Sequence, residues 1–182
     1  LYPVSDVRVA LMIRVNEGRQ YFLRNVDWVG NSVYKKEDLA RRFNIEKGSV
    51  YNQSHIEDRL NGLSGAQDAV SNLYQDYGYL FSRLTPVEAK IENDSVDLEI
   101  RIFEGDQAYL NNIIISGNTR TNEHVARREL YTLPGDLFSK DKIIRSIRQL
   151  GVLGHFDAEK ISPTPLPDPA NGTVDLLYKL EE

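Results

Sequence analysis

The sequence predicts an α+β chain of tandem units, each with two amphipathic helices laid on one face of a small sheet. Three observations lead there. The chain repeats itself at an offset of 87 residues: Asn25–Asn31 falls on Asn112–Asn118, Arg41 on Arg128, Gly48 on Gly135, and Ile56 on Ile143. Apolar residues alternate strictly at the end of each unit, as Val96, Leu98, Ile100 and Ile102 and again as Val174, Leu176, Tyr178 and Leu180. Between these stretches apolar residues recur at helical spacing.

Each unit starts with a short apolar run, Leu23–Val29 or Leu110–Ser116, that ends in Gly-Asn, a turn signal. Short amphipathic helices are expected over Lys36–Phe43 and Asn122–Leu130, with Thr121 as the N-cap of the latter. Gly30, Gly48, Gly117 and Gly135 are structural turns, the second and fourth breaking the chain before a further helix capped by Asn52 or Ser139. In the first unit Ile56, Leu60, Leu63, Ala66, Val70, Leu73 and Tyr77 predict one long buried stripe; in the second the stripe is Ile143, Ile147, Leu150 and Leu153. The first interval is 11 residues longer (Gly48 to Gly78 against Gly135 to Gly154), which predicts a helix extended by about three whole turns. Gly78 and Gly154 suit the helix ends. A hairpin then follows, Phe81–Ile91 and Val96–Phe103 about the turn Asn93-Asp94.

The same offset places residues 1–18 on the end of a unit, so they are expected to be the tail of a preceding one, followed by units at 19–105 and 106–182. The start at Leu1, with no initiator Met and no signal peptide, agrees with a piece cut from a longer protein. Of the 182 residues 41% are hydrophobic, enough for packed cores. A net charge of −5 excludes nucleic-acid binding driven by bulk positive charge. The absence of cysteine excludes disulfides and thiol chemistry.

Catalysis is not expected. His55, His124 and His155 do not have metal-ligand spacing, and no Gly-x-Ser-x-Gly elbow occurs. The adjacent carboxylates Glu37-Asp38 and Glu57-Asp58 read as solvated first turns of helices, where negative charge suits the helix dipole. Gly62-Leu63-Ser64-Gly65 has the form of an RNA-binding KH loop, but Glu57, Asp58 and Asp68 surround it against Arg59 alone. A kink in the long helix is the better reading.

The residues Gly117-Asn118-Thr119, Arg127-Arg128-Glu129-Leu130, Pro134-Gly135-Asp136 and Leu153-Gly154-His155-Phe156, with the junctions Glu17-Gly18 and Glu104-Gly105, resemble the POTRA family across essentially the whole chain. The resemblance implies tandem POTRA repeats, each with two helices on one face of a three-stranded mixed sheet. It also implies the periplasmic part of a Gram-negative outer-membrane protein that assembles β-barrels. Within such an array, Gly78–Phe81 and Arg127–Leu130 resemble the fourth and fifth, barrel-proximal, units. The implied partners are unfolded outer-membrane barrel precursors, accessory assembly lipoproteins and the protein's own C-terminal membrane barrel. No nucleic acid, cofactor or metal is implied. A two-partner secretion transporter is the sister reading, which the tail of a third unit disfavours.

Two sets of residues are candidates for contact. Proline cannot donate to a sheet ladder, so Pro86 and the run Pro163–Pro169 place the middle strand of each unit at an edge. Family members are thought to add extended client segments at such edges. The more open stretches are Val87, Glu88, Ala89, Lys90 and Ile91, and Phe156, Asp157, Ala158, Glu159, Lys160 and Ile161. Protection against aggregation is the competing reading of the prolines. Arg127, Arg128, Arg145 and Arg148 are candidates for a partner subunit or acidic lipid headgroups, against the plainer reading of basic pairs as solvated helix faces.

Overall fold

The structure, a computed structural model, describes residues 14, 18–65 and 67–182. The first half runs β1 (Phe22–Val29), α1 (Lys36–Phe43), α2 (Gln53–Asn61), α3 (Val70–Asp76), β2 (Arg83–Glu92) and β3 (Ser95–Phe103). The second runs β4 (Tyr109–Ser116), α4 (Glu123–Arg127), α5 (Lys140–Val152), β5 (Ser162–Asp168) and β6 (Thr173–Lys179). Most of the expected tail, and Ala66 of the expected stripe, lie outside the described residues.

Each half folds its strands into a mixed three-stranded sheet, ordered β1-β3-β2 and β4-β6-β5. The last strand of each half is central, parallel to the first and antiparallel to the second. This order follows from alternation. Val96, Leu98, Ile100 and Ile102 on β3, and Val174, Leu176 and Tyr178 on β6, are the buried positions, and the helices cover that face. Two separate cores result. One gathers Leu23, Trp28, Leu39, Phe43, Ile56 and Leu60 with β3; the other gathers Leu110, Phe138, Ile143, Leu150 and Phe156 with β6.

Local signals set most element ends. Asn52 accepts from the His55 N–H at 3.0 Å, and Ser139 from that of Lys142 at 3.3 Å, the caps expected. Gly30 and Gly117 hold φ of 91°, and a Cβ at either would collide with the carbonyl oxygen of Ile102 or Leu180. These two glycines therefore admit a close backbone approach besides making a turn.

Three expectations are corrected. The long helix of the first half is two helices. At Gly62, φ 67°, α2 ends with its N–H on the Asp58 carbonyl, and the Asp58 carboxylate accepts from the Ser64 N–H at 2.7 Å. Leu63 is 74% and Tyr77 62% exposed, so neither belongs to a buried stripe. The extra residues form a loop and α3 instead of whole turns added in phase. Glycines at 62 and 65, both at positive φ, outweigh the apolar periodicity there. Next, α4 is only Glu123–Arg127, and its cap position is Asn122, not Thr121. The loop before it is held by other groups, described below. Finally, Phe156–Ile161 is not a strand. Phe156 and Ile161 are buried in the core, and β5 lies one residue further on, across the proline run.

Candidate functional site

The two candidate surfaces are the free sheet edges and the basic helix faces. β2 is an edge strand, and Val87–Ile91 lies in its outer half, with 88–91 exposed. Its register with β3 slips between Glu88 and Lys90, leaving Ala89 as a bulge. The Glu88 carboxylate accepts from the Tyr51 hydroxyl at 2.7 Å, which ties the strand to the segment before α2. Burial pushes the Tyr51 hydroxyl up to about 12, and the bond to Glu88 adds to this.

In antiparallel pairing, successive residues turn their backbone groups alternately toward and away from the neighbour. Pro86, which pairs with Ile100, has no N–H and so faces outward, flanked by the outward N–H groups of Leu84 and Glu88. On β5 the outward positions are Pro163, Pro165 and Pro167, each registered against β6. That edge lacks its donor at three alternate positions. The two edges are therefore unequal: β2 retains donors and β5 offers only carbonyls. Since Phe156–Ile161 is irregular, that stretch offers no edge strand.

The four candidate arginines are not brought together. Arg127 pairs with Glu123 and donates to the Ile113 carbonyl at 3.0 Å. Arg128 pairs with Glu129 at 3.0 Å, and Arg145 with Asp141 at 2.7 Å. Arg148 has no such partner among the described residues. His55, His124 and His155 are exposed, and among the described residues no group of three or more His, Cys, Asp or Glu is placed to hold a metal ion. No described helix is long and apolar enough to cross a membrane.

Sequence reasoning missed one repeated device. The Glu104 carboxylate accepts from the Ser32 N–H (2.9 Å), the Val33 N–H (3.0 Å), the Ser32 hydroxyl and the buried Tyr74 hydroxyl (3.1 Å). Glu182 does the same for the second half, accepting from the Arg120 and Thr121 N–H groups (both 2.7 Å) and the Thr119 hydroxyl (2.9 Å). Asn31 and Asn118 close the same loops, donating to the Tyr34 and Thr121 carbonyls at 2.8 and 3.0 Å. Burial raises both carboxyls, but the donors outweigh it: Glu104 ends below its ordinary value and Glu182 falls to about 2. The signal was the recurring pair of Gly-Asn turn and terminal Glu at matching positions.

The halves also touch. The Ala108 N–H donates to the Gly78 carbonyl at 2.8 Å, and Gln107 to the Tyr77 carbonyl at 3.0 Å. Lys140 Nζ reaches Asn72 Oδ1 at 2.7 Å, and the Asp141 N–H reaches Asp76 Oδ1 at 2.8 Å. α3, the element with no counterpart in the second half, packs against α5.

The profile of the POTRA family, described as "Surface antigen variable number repeat", matches residues 21–105 and again 108–182. The chain belongs to the POTRA family. Two outer membrane protein assembly factors named BamA are each 25% identical to it, one from Nitratidesulfovibrio vulgaris over 175 residues and one from Neisseria meningitidis serogroup B over 183. Each alignment covers 96% of this chain, which spans only 22% and 23% of those relatives. POTRA units 3–5 of Haemophilus influenzae BamA share the fold with a TM-score of 0.76 at 21% identity, over 92% of this chain and 63% of that one. Haemophilus ducreyi BamA lacking POTRA domains 1–3 gives 0.65 at 19% identity, over 89% and 29%.

Proposed function

We propose that this POTRA chain is the periplasmic part of a Gram-negative outer-membrane β-barrel assembly factor, acting as a non-enzymatic scaffold without a cofactor. Its units would be 19–105 and 106–182, the fourth and fifth of their array, after the tail of a third at 1–18. It receives unfolded outer-membrane barrel precursors, docks accessory assembly lipoproteins and leads into its own membrane barrel. Similarity to proteins named as outer membrane protein assembly factors supports the scaffold role.

The observation that carries the client-binding part is the inequality of the edges. β2, with Glu88–Ile91 exposed and its N–H groups turned outward on both sides of Pro86, can accept an added strand. β5 cannot donate at Pro163, Pro165 or Pro167. The client-binding edge is thus assigned to β2, and the prolines of β5 protect against aggregation. NMR titration with a synthetic peptide from an outer-membrane barrel strand tests this. Amide shifts should concentrate at residues 83–92. Shifts confined to the helices, or equal on β5, would reject the edge assignment.

A further inference from the structure

A cleft between the two halves is lined by Arg42 at the end of α1, Asp76 on α3, and Lys140, Asp141, Ile144 and Arg148 on α5. Its cations are unusually free of internal partners. Arg42 donates through Nη2 to the Gln67 carbonyl, but its Nε is buried with no hydrogen-bond partner. Native structures leave few such donors orphaned, and a donor of charged type is a costly one to leave. Arg148 has no ion pair or hydrogen bond among the described residues. Lys140 donates to the neutral amide oxygen of Asn72 and has Asp76 as its nearby opposite charge, without a direct ion pair. Of the two acidic groups in the cleft, Asp141 pairs with Arg145, while Asp76 accepts from the Asp141 N–H and feels Lys140 and Arg42 without a direct ion pair, so the three cations outnumber the one acid that faces them.

We infer that this inter-unit cleft is a binding site for a carboxylate of an acidic protein segment, held by Arg42 and Arg148 with Lys140 behind them. Two guanidinium groups match the planar fork of a carboxylate. A partly apolar wall at Ile144 suits a side chain entering from a protein more than a free ion. A lipid surface fits less well, because the three cations line a cleft that a single side chain can enter and do not lie on a flat face. The site draws on both halves, so its occupant would also brace α3 against α5. It is independent of the β2 edge, and either assignment can fail alone.

The test is an NMR titration of the 182-residue chain with a capped oligoglutamate peptide, with capped oligoglutamine as control and arginine Nε–H signals as the readout. The expected result is saturable movement of the Arg42 and Arg148 signals with oligoglutamate only. Arg148→Ala and the length-preserving Arg148→Gln should each weaken binding about tenfold, whereas Arg128→Ala, whose arginine already pairs with Glu129, should not. Equal weakening by the 148 and 128 variants would reduce the effect to bulk charge and overturn the site. So would signals that move outside the cleft. Vesicles of phosphatidylcholine and phosphatidylglycerol that displaced the peptide, with the same dependence on Arg148, would overturn the protein carboxylate in favour of a headgroup phosphate.

Discussion

Replacing Glu104 by Ala removes one acceptor that serves four donors, and the structure indicates what each is worth. The Ser32 and Val33 N–H groups and the Ser32 hydroxyl lie at an exposed loop, so water replaces the carboxylate and each loses only a fraction of about 1 kcal/mol. Tyr74 is different. Its ring is fully buried, edge-on to Tyr34 at 5.1 Å and to Tyr79 at 6.2 Å, and Glu104 is the hydroxyl's partner. Losing that acceptor leaves a buried hydroxyl unsatisfied, which costs about 1–3 kcal/mol. The sum is about 2–3 kcal/mol, to be read from urea denaturation as a lowered midpoint at unchanged slope. The decisive experiment is the cycle with Tyr74→Phe. Phenylalanine has no hydroxyl to strand, so Glu104→Ala should cost about 1 kcal/mol less in that background. Additivity within about 0.3 kcal/mol, or a single-variant cost below about 0.5 kcal/mol, would refute the idea that the carboxylate anchors Tyr74.

Further outcomes follow from the same contacts. Glu104 and Glu182 have folded pKa values below their ordinary ones, so the unfolded chain binds more protons in acid. Their stabilisation should be complete above about pH 4.5 and be lost as pH falls, for Glu182 down through about 2; Glu182→Gln should flatten that acid limb in pH-dependent denaturation. Gly117→Ala should cost about 2–4 kcal/mol, because left-handed strain is joined by collision with the Leu180 carbonyl, against about 1–2 for Gly135→Ala, where a Cβ meets open space. Equal urea midpoints for the two would remove the close approach from the account. Arg59, only 14% exposed, donates to the Phe43 carbonyl at 2.9 Å and the Arg42 carbonyl at 2.6 Å and pairs with Asp68. Arg59→Ala should cost about 2–3 kcal/mol and speed hydrogen exchange across residues 62–65. Replacing Pro163, Pro165 and Pro167 together by Thr restores donors to the β5 edge and should produce concentration-dependent self-association in light scattering; a persistent monomer would count against edge protection.

Legibility in the sequence varied with the range of the interaction. Lys36–Phe43 is legible to the residue, because its signals are local: a polar start and an apolar pair at Leu39 and Phe43 on one helix face. The caps Asn52 and Ser139 and the buried alternation of β3 and β6 were equally local. The break at Gly62 was half visible. Gly62-Leu63-Ser64-Gly65 marks a kink, while the apolar spacing runs on across it because buried positions of two successive helices can share one period through a loop. Phe156–Ile161 imitates the start of the middle strand because apolar residues at both its ends are buried, whereas the strand itself is confined to the proline run that marks it as an edge. The arginine clusters looked alike in sequence. The difference lies in side-chain placement: Arg127 and Arg145 meet a carboxylate one helical turn away and Arg128 meets the adjacent Glu129, whereas Arg148 meets none among the described residues.

The sequence alone determined that the chain is a tandem α+β array, because an 87-residue recurrence and two periodicities are one-dimensional facts. It also determined that the middle strands are edges, because proline lacks a donor wherever it sits. Tertiary structure alone decided which edge remains open, what the terminal glutamates do, and that α3 meets α5 across the unit boundary. Those outcomes depend on groups 30 to 72 residues apart arriving within hydrogen-bond distance, and such proximity is a property of the folded chain, not of spacing along it.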